Sequence, residues 1–241
     1  MTQLKYASPA VLGVIFDGDD TLWSTEYLYD DARSRARLIV SKSGLDGARW
    51  EERERLIDVQ NVAKFGYSTE RFPTSCVQAY EKLCLCAGRT VDTATVERIR
   101  RTAQSVFERN PPLVPDAKET LALLSAKGVR LALLTKGDHQ LQSRRVDRSG
   151  LREFFNVIRI VPEKSPRIIR EVVAALGVDV GSAWMVGNSM RSDVFPARKA
   201  GLRAVQIPAH VWEYERTEDH IAADGVVPTS HLADIPALIT I

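Results

Sequence analysis

The sequence predicts an α/β fold: a doubly wound parallel sheet with a Rossmann-like core and an inserted α-helical segment. Two observations predict it. From Pro115 onward, short apolar runs alternate with helical patterns, as they do where helices connect parallel strands. Between residues 24 and 104 the pattern is helical only, and this stretch is rich in Arg, Glu and Ala. We therefore predict a core formed by residues 1–23 and 105–241, and a helical cap formed by residues 24–104.

The core strands are predicted where apolar runs are short and end at polar or glycine residues. The first run, residues 11–16, has no polar alternation, which indicates a strand buried on both faces. Further strands are predicted at 129–134, 155–160, 183–186 and 203–207. The pair Val226-Val227 is expected to close one edge of the sheet.

Capping residues mark the helices of the core. Asp116 is expected to cap a helix that ends before Gly128, and Ser165 followed by Pro166 is typical of a helix start. Core helices are predicted at 116–127, 141–149, 165–176 and 192–200. Cap helices are predicted at 26–40, 49–58, 75–86 and 93–107, with turns at 64–67 and 71–73.

Composition excludes several classes of protein. The 241 residues are 27% charged and 44% hydrophobic with a net charge of +2, which is typical of a soluble globular protein and gives no electrostatic reason to expect nucleic acid binding. No apolar run is long enough to span a membrane, and residues 1–10 lack the apolar stretch of a secretory signal. The protein is therefore expected in the cytoplasm. Its three cysteines are expected to be reduced thiols packed in the cap helices.

Polar side chains follow four of the predicted strands, at the edge where open parallel sheets bind ligands. These side chains are Asp17, Asp19 and Asp20 after the first strand, Thr135 and Lys136 after the second, Lys164 after the third, and Asn188 and Asp193 after the fourth. Clustered carboxylates need a cation or a proton to relieve their repulsion, and a hydroxyl beside a helix start suits an anion. The combination indicates phosphoryl transfer, which depends on positioning and charge neutralisation.

These four groups, in this order, resemble the haloacid dehalogenase-like hydrolase superfamily over about residues 12–208, with the cap at the family's cap position. The resemblance implies that Asp17 is a nucleophile that forms an aspartyl-phosphate and that Asp19 is the general acid and base. It also implies that Thr135 binds a phosphoryl oxygen and that Lys164 pairs with Asp17 and the phosphate. Mg²⁺ is the implied cofactor, with Asp17, the Asp19 backbone carbonyl, Asp193 and Asn188 as its candidate ligands.

The sequence departs from the family pattern at two positions. Asn188 stands where the family usually has Asp, which removes one negative charge and is expected to weaken metal affinity. Asp20 stands where the family usually has Gly, and its carboxylate is expected to be solvated. Trp23, just beyond the first group, is equally compatible with packing in the core and with lining a pocket.

We predict a magnesium-dependent phosphatase that acts on a small phosphorylated metabolite, because a cap closing over the strand ends would exclude bulky proteins. Beside Thr135, the predicted substrate contacts are Lys136 and Gly137 in the core and Tyr67 and Arg71 in the cap, with Phe65, Gly66 and Phe72 around them. A phosphomutase with the same nucleophile stays open, as does a catalytically weakened phosphate-ligand binding protein, which Asn188 suggests. A dehalogenase is disfavoured by Asp19. The substrate and the oligomeric state stay open.

Overall fold

The computed structural model describes residues 11–209, 211–216 and 225–239. Within them, six parallel strands form one sheet in the order β3-β2-β1-β4-β5-β6. The strands are β1 Gly13–Phe16, β2 Arg130–Lys136, β3 Val157–Val161, β4 Ala183–Gly187, β5 Arg203–Gln206 and β6 Val226–Pro228. The predicted fold class is confirmed. Residues 1–10, in which the sequence shows no apolar stretch of a secretory signal, lie outside the described residues.

Four helices follow β1 and form the insert. They are α1 Glu26–Lys42, α2 Gly47–Phe65, α3 Arg71–Cys86 and α4 Thr93–Gln104. Their buried faces meet in a hydrophobic cluster of their own that includes Trp50, Phe72 and Ile99. A separate cluster of this size indicates that the insert folds around its own apolar centre rather than around the sheet.

The remaining helices flank the sheet. They are α5 Ala117–Ala126, α6 His139–Ser149, α7 Pro166–Leu176, α8 Phe195–Ala200 and α9 Ile235–Leu238. Successive strand residues point to opposite faces, so that Val14 and Phe16 pack on the cluster with α5, while Ile15 packs on the cluster with α7 and α8. Both faces of the sheet are therefore covered, as a parallel sheet requires.

The chain passes from the core to the insert and back through two adjacent segments. The amide of Ser24 donates to the carbonyl of Pro112 at 2.9 Å, and the amide of Val114 donates to the carbonyl of Leu22 at the same distance. Trp23 forms isolated bridges with Asp19 on one side and with Leu113 on the other. The insert is thus connected to the core through a paired double crossing directly beside the end of β1.

Several predicted boundaries were wrong. Helix α2 continues to Phe65 and ends at Gly66, whose φ of +56° favours glycine. Residues 71–73, predicted as a turn, form the start of α3, where Pro73 lies in the first turn and leaves no intrahelical hydrogen bond unmade. Asp116 adopts a φ of +63° and does not cap α5 through its side chain within the described residues.

The cysteines also differ from expectation. Cys76 and Cys84 are buried in the insert, as predicted, but Cys86 is exposed at the end of α3. All three are free thiols. Among the described residues, none of the helices is both long and apolar enough to cross a membrane.

A buried ion pair joins the first two helices of the insert. The guanidinium Nε of Arg33 donates to Glu54 Oε2 at 2.9 Å, and both side chains are almost completely buried. Removing one partner of such a pair leaves the other charge buried without compensation, which is much more costly than losing a solvated pair.

We expect Glu54→Gln to lower the free energy of unfolding by about 3 kcal/mol, because the buried Arg33 then keeps only the partly exposed Asp30 carboxylate, at 3.2 Å, as a counter-charge. The matched control is Glu171→Gln, which breaks the exposed pair between Arg167 and Glu171 at 2.8 Å. The control should cost less than about 0.5 kcal/mol. Urea unfolding of both variants measures the difference, and equal losses would contradict the importance given to burial.

Candidate active site

One cavity lies at the C-terminal edge of the sheet, under the insert. Its volume is about 130 Å³, and core, insert and the segment 211–216 all contribute to its wall. The core residues lining it are Asp17, Asp19, Asp20, Thr135, Lys136, Lys164, Asn188, Ser189, Ser192 and Asp193. The structure therefore brings together the polar side chains that follow four different strands in the sequence. Gly137, a predicted substrate contact, is not among the described residues that line the cavity.

Lys164 joins two carboxylates at the bottom of this cavity. Its ammonium donates a short hydrogen bond to Asp17 Oδ1 and another, of 2.6 Å, to Asp193 Oδ1. The second oxygen of Asp17 accepts from the Thr21 hydroxyl at 3.1 Å. All of these side chains are buried. Asp17 is thus held at a fixed place by one cation and one hydroxyl.

The charges in this cluster depend on one another. Burial raises the pKa of Asp17, and the Lys164 ammonium lowers it less than burial and the nearby Asp193 carboxylate together raise it, so that the pKa of Asp17 is about 7. Burial lowers the pKa of Lys164, but the two carboxylates raise it more, so that its pKa lies above the ordinary value. Lys164 therefore stays protonated and carries the positive charge that balances the two acids.

Gly187 allows Asp193 to approach the end of β4. A Cβ at Gly187 would collide with the Asp193 carboxylate, so that a larger residue there would displace the acid. Ser189 fixes the turn that follows, because its amide donates to Asp193 Oδ2 at 3.0 Å and its hydroxyl accepts from the Ser192 amide at 3.0 Å. The predicted helix at 192–200 in fact begins earlier, with a π-helical turn over Met190–Val194.

Three donors surround the Asp19 carboxylate. Oδ1 accepts from the indole Nε1 of Trp23 at 2.6 Å, and Oδ2 accepts from Gln142 Nε2 and Arg145 Nη1, each at 2.8 Å. Of the two roles that the sequence left open for Trp23, the structure shows packing in the core cluster, and Trp23 is not among the described residues that line the cavity. Sequence analysis missed Gln142 and Arg145, both on α6.

Thr135 lies at the end of β2 and is completely buried. Its hydroxyl oxygen has no hydrogen-bond partner among the described residues, although a buried hydroxyl normally has one. Because the residue lines the cavity, this hydroxyl is placed where it could donate to an oxygen atom of a bound molecule.

Asp20 is not simply solvated, as the sequence led us to expect. Its carboxylate accepts from the amide of Thr25 at 2.8 Å, from the hydroxyl of Thr25 at 2.6 Å and from the amide of Glu26 at 3.1 Å. Asp20 has a φ of +59° and caps the first amides of α1. It therefore couples the end of β1 to the first helix of the insert.

Two predicted anion contacts already have partners. The amide of Gly137 donates to the carbonyl of Val161 at 3.1 Å, and Gly137 is not among the described residues that line the cavity. The Lys136 ammonium lines the cavity but donates to Glu215 Oε1 at 2.5 Å and to the Ser192 hydroxyl at 2.6 Å. Both predictions overlooked these competing acceptors.

Glu215 was not identified from the sequence, yet it accepts four hydrogen bonds. Oε1 accepts from Lys136 and from the Tyr67 hydroxyl at 2.6 Å, and Oε2 accepts from the Ser189 hydroxyl at 2.8 Å and closely from the Ser192 hydroxyl. Burial raises the pKa of Glu215, but Lys136 and the hydroxyl donors lower it more, to about 2. Glu215 is therefore ionised at neutral pH.

The segment 211–216 packs against the insert. The Arg71 guanidinium lies 4.1 Å from the ring centroid of Trp212, and the rings of Tyr67 and Trp212 meet edge to face at 6.4 Å. Arg71 also donates to Asp58 Oδ2 at 2.7 Å. Of the predicted cap contacts, Tyr67 and Arg71 line the cavity, whereas Phe65, Gly66 and Phe72 are not among its described lining residues. The aromatic cluster Trp212 to Tyr214 was the sequence signal that could have identified this segment.

The oxygen donors fit a magnesium ion. Asp17, Asp19, Asn188 and Asp193 line the same cavity, and carboxylate, amide and carbonyl oxygens are hard ligands. Among the described residues, no three acidic, histidine or cysteine side chains form a ready cage for a metal. Mg²⁺ does not need one, because it is commonly bound through one or two carboxylates together with waters and a substrate phosphate.

The fold and this cavity together define an α/β protein whose buried aspartates and lysine meet at the carboxyl edge of the sheet beneath a helical insert. The family model of the haloacid dehalogenase-like hydrolases matches residues 11–201, and the chain belongs to this family. The resemblance found in the sequence and the prediction of a hydrolytic enzyme are confirmed.

The chain is similar to several named proteins. It is 27% identical to glyceraldehyde 3-phosphate phosphatase of Methanothermobacter thermautotrophicus, over 88% of this chain and 92% of that protein. It is 37% identical to phosphoserine phosphatase of Thermus thermophilus, over only 46% of this chain and 47% of that protein. A haloacid dehalogenase-like family hydrolase from Xanthomonas campestris has a similar structure, with a TM-score of 0.78 at 24% identity over 95% of this chain and 91% of that chain.

We expect the Glu215 carboxylate to stabilise the protein only above the acidic range. Its pKa is lower in the folded protein, about 2, than its ordinary value of 4.5, so the stabilisation is complete above the higher value and is lost as the pH falls toward the lower one. Glu215→Gln should therefore be less stable than the unmodified protein at pH ~7, by on the order of 3 kcal/mol.

Urea unfolding of both proteins from about pH 7 down to about pH 3.5 measures this difference. The gap should be constant above about pH 5.5 and should narrow clearly by about pH 3.5. A gap that stays constant over the whole range would contradict the role assigned to the Glu215 charge.

Proposed function

We propose that this protein is a magnesium-dependent phosphatase that hydrolyses a small phosphorylated metabolite through an aspartyl-phosphate on Asp17. The observation that carries the proposal is the buried Asp17 carboxylate, bound to Lys164, in the same cavity as the Thr135 hydroxyl, which has no hydrogen-bond partner among the described residues. The relatives named as phosphoserine and glyceraldehyde 3-phosphate phosphatases support it. So does the similarity to phosphoglycolate phosphatase of Neisseria meningitidis, 35% identical over 43% of this chain and 44% of that protein.

The reaction proceeds in two displacements at phosphorus. In the first, an oxygen of Asp17 forms a bond to phosphorus while the bond from phosphorus to the alcohol oxygen breaks, and Asp19 gives that oxygen a proton. In the second, Asp19 takes a proton from a water molecule whose oxygen attacks phosphorus. Phosphate leaves and Asp17 is regenerated. Asp19 is suited to both tasks because its side chain lies at the cavity, two residues from the nucleophile.

The surrounding residues position the phosphoryl group and balance its charge. The Thr135 hydroxyl donates to a phosphoryl oxygen and thereby gains the partner it lacks. The Lys164 ammonium stays beside Asp17 and offsets the negative charge that gathers there. Mg²⁺, bound by Asp17, Asp193, the Asp19 carbonyl and Asn188, would supply further positive charge to the phosphate oxygens.

The insert limits the size of the substrate. On the insert side the cavity is lined by Tyr29, Arg33, Tyr67 and Arg71, and Trp212 lines it from the segment 211–216. A small phosphate ester fits such an enclosed space better than a phosphorylated protein does. We assign Tyr67 and Arg71 to contacts with the part of the substrate beyond the phosphate.

The free thiols of all three cysteines are compatible with the reducing cytoplasm, where we place the enzyme.

The test is phosphate release from four esters: phosphoserine, glyceraldehyde 3-phosphate, phosphoglycolate and p-nitrophenyl phosphate. We expect the protein to hydrolyse at least p-nitrophenyl phosphate. Release should require Mg²⁺, and Asp17→Asn should abolish it, because the amide is no nucleophile toward phosphorus. A phosphate assay with and without Mg²⁺ measures this.

The matched control is Asp147→Asn, which changes an exposed aspartate that pairs with Arg152 on the surface. This variant should retain full activity. Isomerised sugar phosphate without free phosphate would favour a phosphomutase, and tight phosphate-ester binding without turnover would favour a binding protein. Release that persists in Asp17→Asn would refute the proposed nucleophile.

A further inference from the structure

Arg145 lies directly behind Asp19 without being part of the cavity wall. It belongs to α6, is 4% exposed, and donates from Nη1 to Asp19 Oδ2 at 2.8 Å. It is not among the described residues that line the cavity, whereas Asp19 is. Arg145 therefore contacts the general acid proposed above but does not reach a substrate in this cavity.

The hydrogen bonds to Asp19 leave one oxygen available. Each carboxylate oxygen has two acceptor positions in the plane of the group. Both positions on Oδ2 are used, by Arg145 and Gln142, whereas Oδ1 accepts only from Trp23 among the described residues. One position on Oδ1 is thus left for the proton that is transferred during the reaction.

Arg145 keeps its positive charge although its side chain is buried. Burial lowers the pKa of Arg145, but the Asp19 carboxylate and the Tyr29 hydroxyl raise it more, so that the guanidinium stays charged. Tyr29 belongs to α1 and lines the cavity. Among the described residues, only Nη1 of Arg145 has a hydrogen-bond partner, which is Asp19, because Nε and Nη2 have none.

We propose that Arg145 is a positioning residue that fixes the Asp19 carboxyl so that Oδ1 faces the oxygen of the departing alcohol. This inference rests on the proposed function. As the bond from Asp17 to phosphorus forms and the ester bond breaks, the electron pair stays on the alcohol oxygen, which takes its proton from Asp19. The carboxylate left behind is stabilised by the Arg145 charge.

The role predicts a dependence on the leaving group. A basic alcohol needs the proton as the ester bond breaks, whereas p-nitrophenol leaves readily without it. If the Asp19 carboxyl is no longer held in position, the hydrolysis of esters of basic alcohols should therefore slow far more than the hydrolysis of p-nitrophenyl phosphate. A residue that only supports the fold would slow all esters alike.

The experiment measures kcat/KM for p-nitrophenyl, phenyl and p-methoxyphenyl phosphate, which differ in leaving-group basicity but little in shape. This constant reports the steps up to departure of the alcohol and is independent of the later hydrolysis of the aspartyl-phosphate. The proteins are the unmodified enzyme, Arg145→Met, Arg145→Lys and the control Arg144→Met. Arg144 is the exposed neighbour on the same helix.

In Arg145→Met, we expect the ratio of kcat/KM for p-nitrophenyl phosphate to that for p-methoxyphenyl phosphate to rise at least about tenfold. Arg145→Lys keeps the positive charge, so its ratio should lie between those of the unmodified enzyme and Arg145→Met. Arg144→Met should have the same ratio as the unmodified enzyme. An unchanged ratio in both Arg145 variants would overturn the inference. If Arg145→Met loses all activity, Arg145→Lys decides alone: a raised ratio supports the inference, and an unchanged ratio overturns it.

The same assay separates this inference from the proposed function. Asp17→Asn should lose activity with all three esters. If it does not, or if the unmodified enzyme with Mg²⁺ hydrolyses none of them, the proposed function fails and the inference fails with it. If hydrolysis depends on Asp17 but the ratio is insensitive to Arg145, only the inference fails.

Discussion

Two carboxylates and one ammonium share a space in this protein that water hardly reaches, and Lys164 donates to both Asp17 and Asp193 there. Without the ammonium, the carboxylates would repel each other at close range and one would take up a proton. The three groups come from the ends of β1 and β4 and from the connection between β3 and α7. Only a sheet in which β1 lies between β2 and β4 in parallel register brings these ends together, so the fold and the charge balance depend on each other.

The residues around this cluster divide the work between core and insert. The core holds the groups that we propose to react, and Asp20 connects the end of β1 to the start of α1. The segment 211–216 joins both parts, because Glu215 accepts from Lys136 of the core and from Tyr67 of the insert. Any movement of the insert that opens the cavity has to break these hydrogen bonds or carry the segment with it. Access of the substrate is therefore coupled to the charges at the edge of the sheet.

The sequence was sufficient to predict the sheet, the helical insert and the candidate groups at the four strand ends. These follow from local apolar patterns and from the rule that parallel strands end at one edge. Arg145 and Glu215 could not be predicted in this way. Arg145 is 126 residues from Asp19, and Glu215 is 148 residues from Tyr67, so each contact exists only through tertiary packing. The same limit explains Lys136, whose position was predicted but whose partners were not.

The proposed reaction depends on Asp17 carrying the phosphoryl group between its two displacements. The most direct measurement is to mix the protein with Mg²⁺ and p-nitrophenyl phosphate labelled with ³²P in the phosphoryl group, to quench the mixture in acid during turnover, and to locate the label by peptide mapping. We expect acid-stable label on the peptide that contains Asp17, and none in Asp17→Asn. Label on a different side chain, or release of phosphate without any labelled protein, would contradict it.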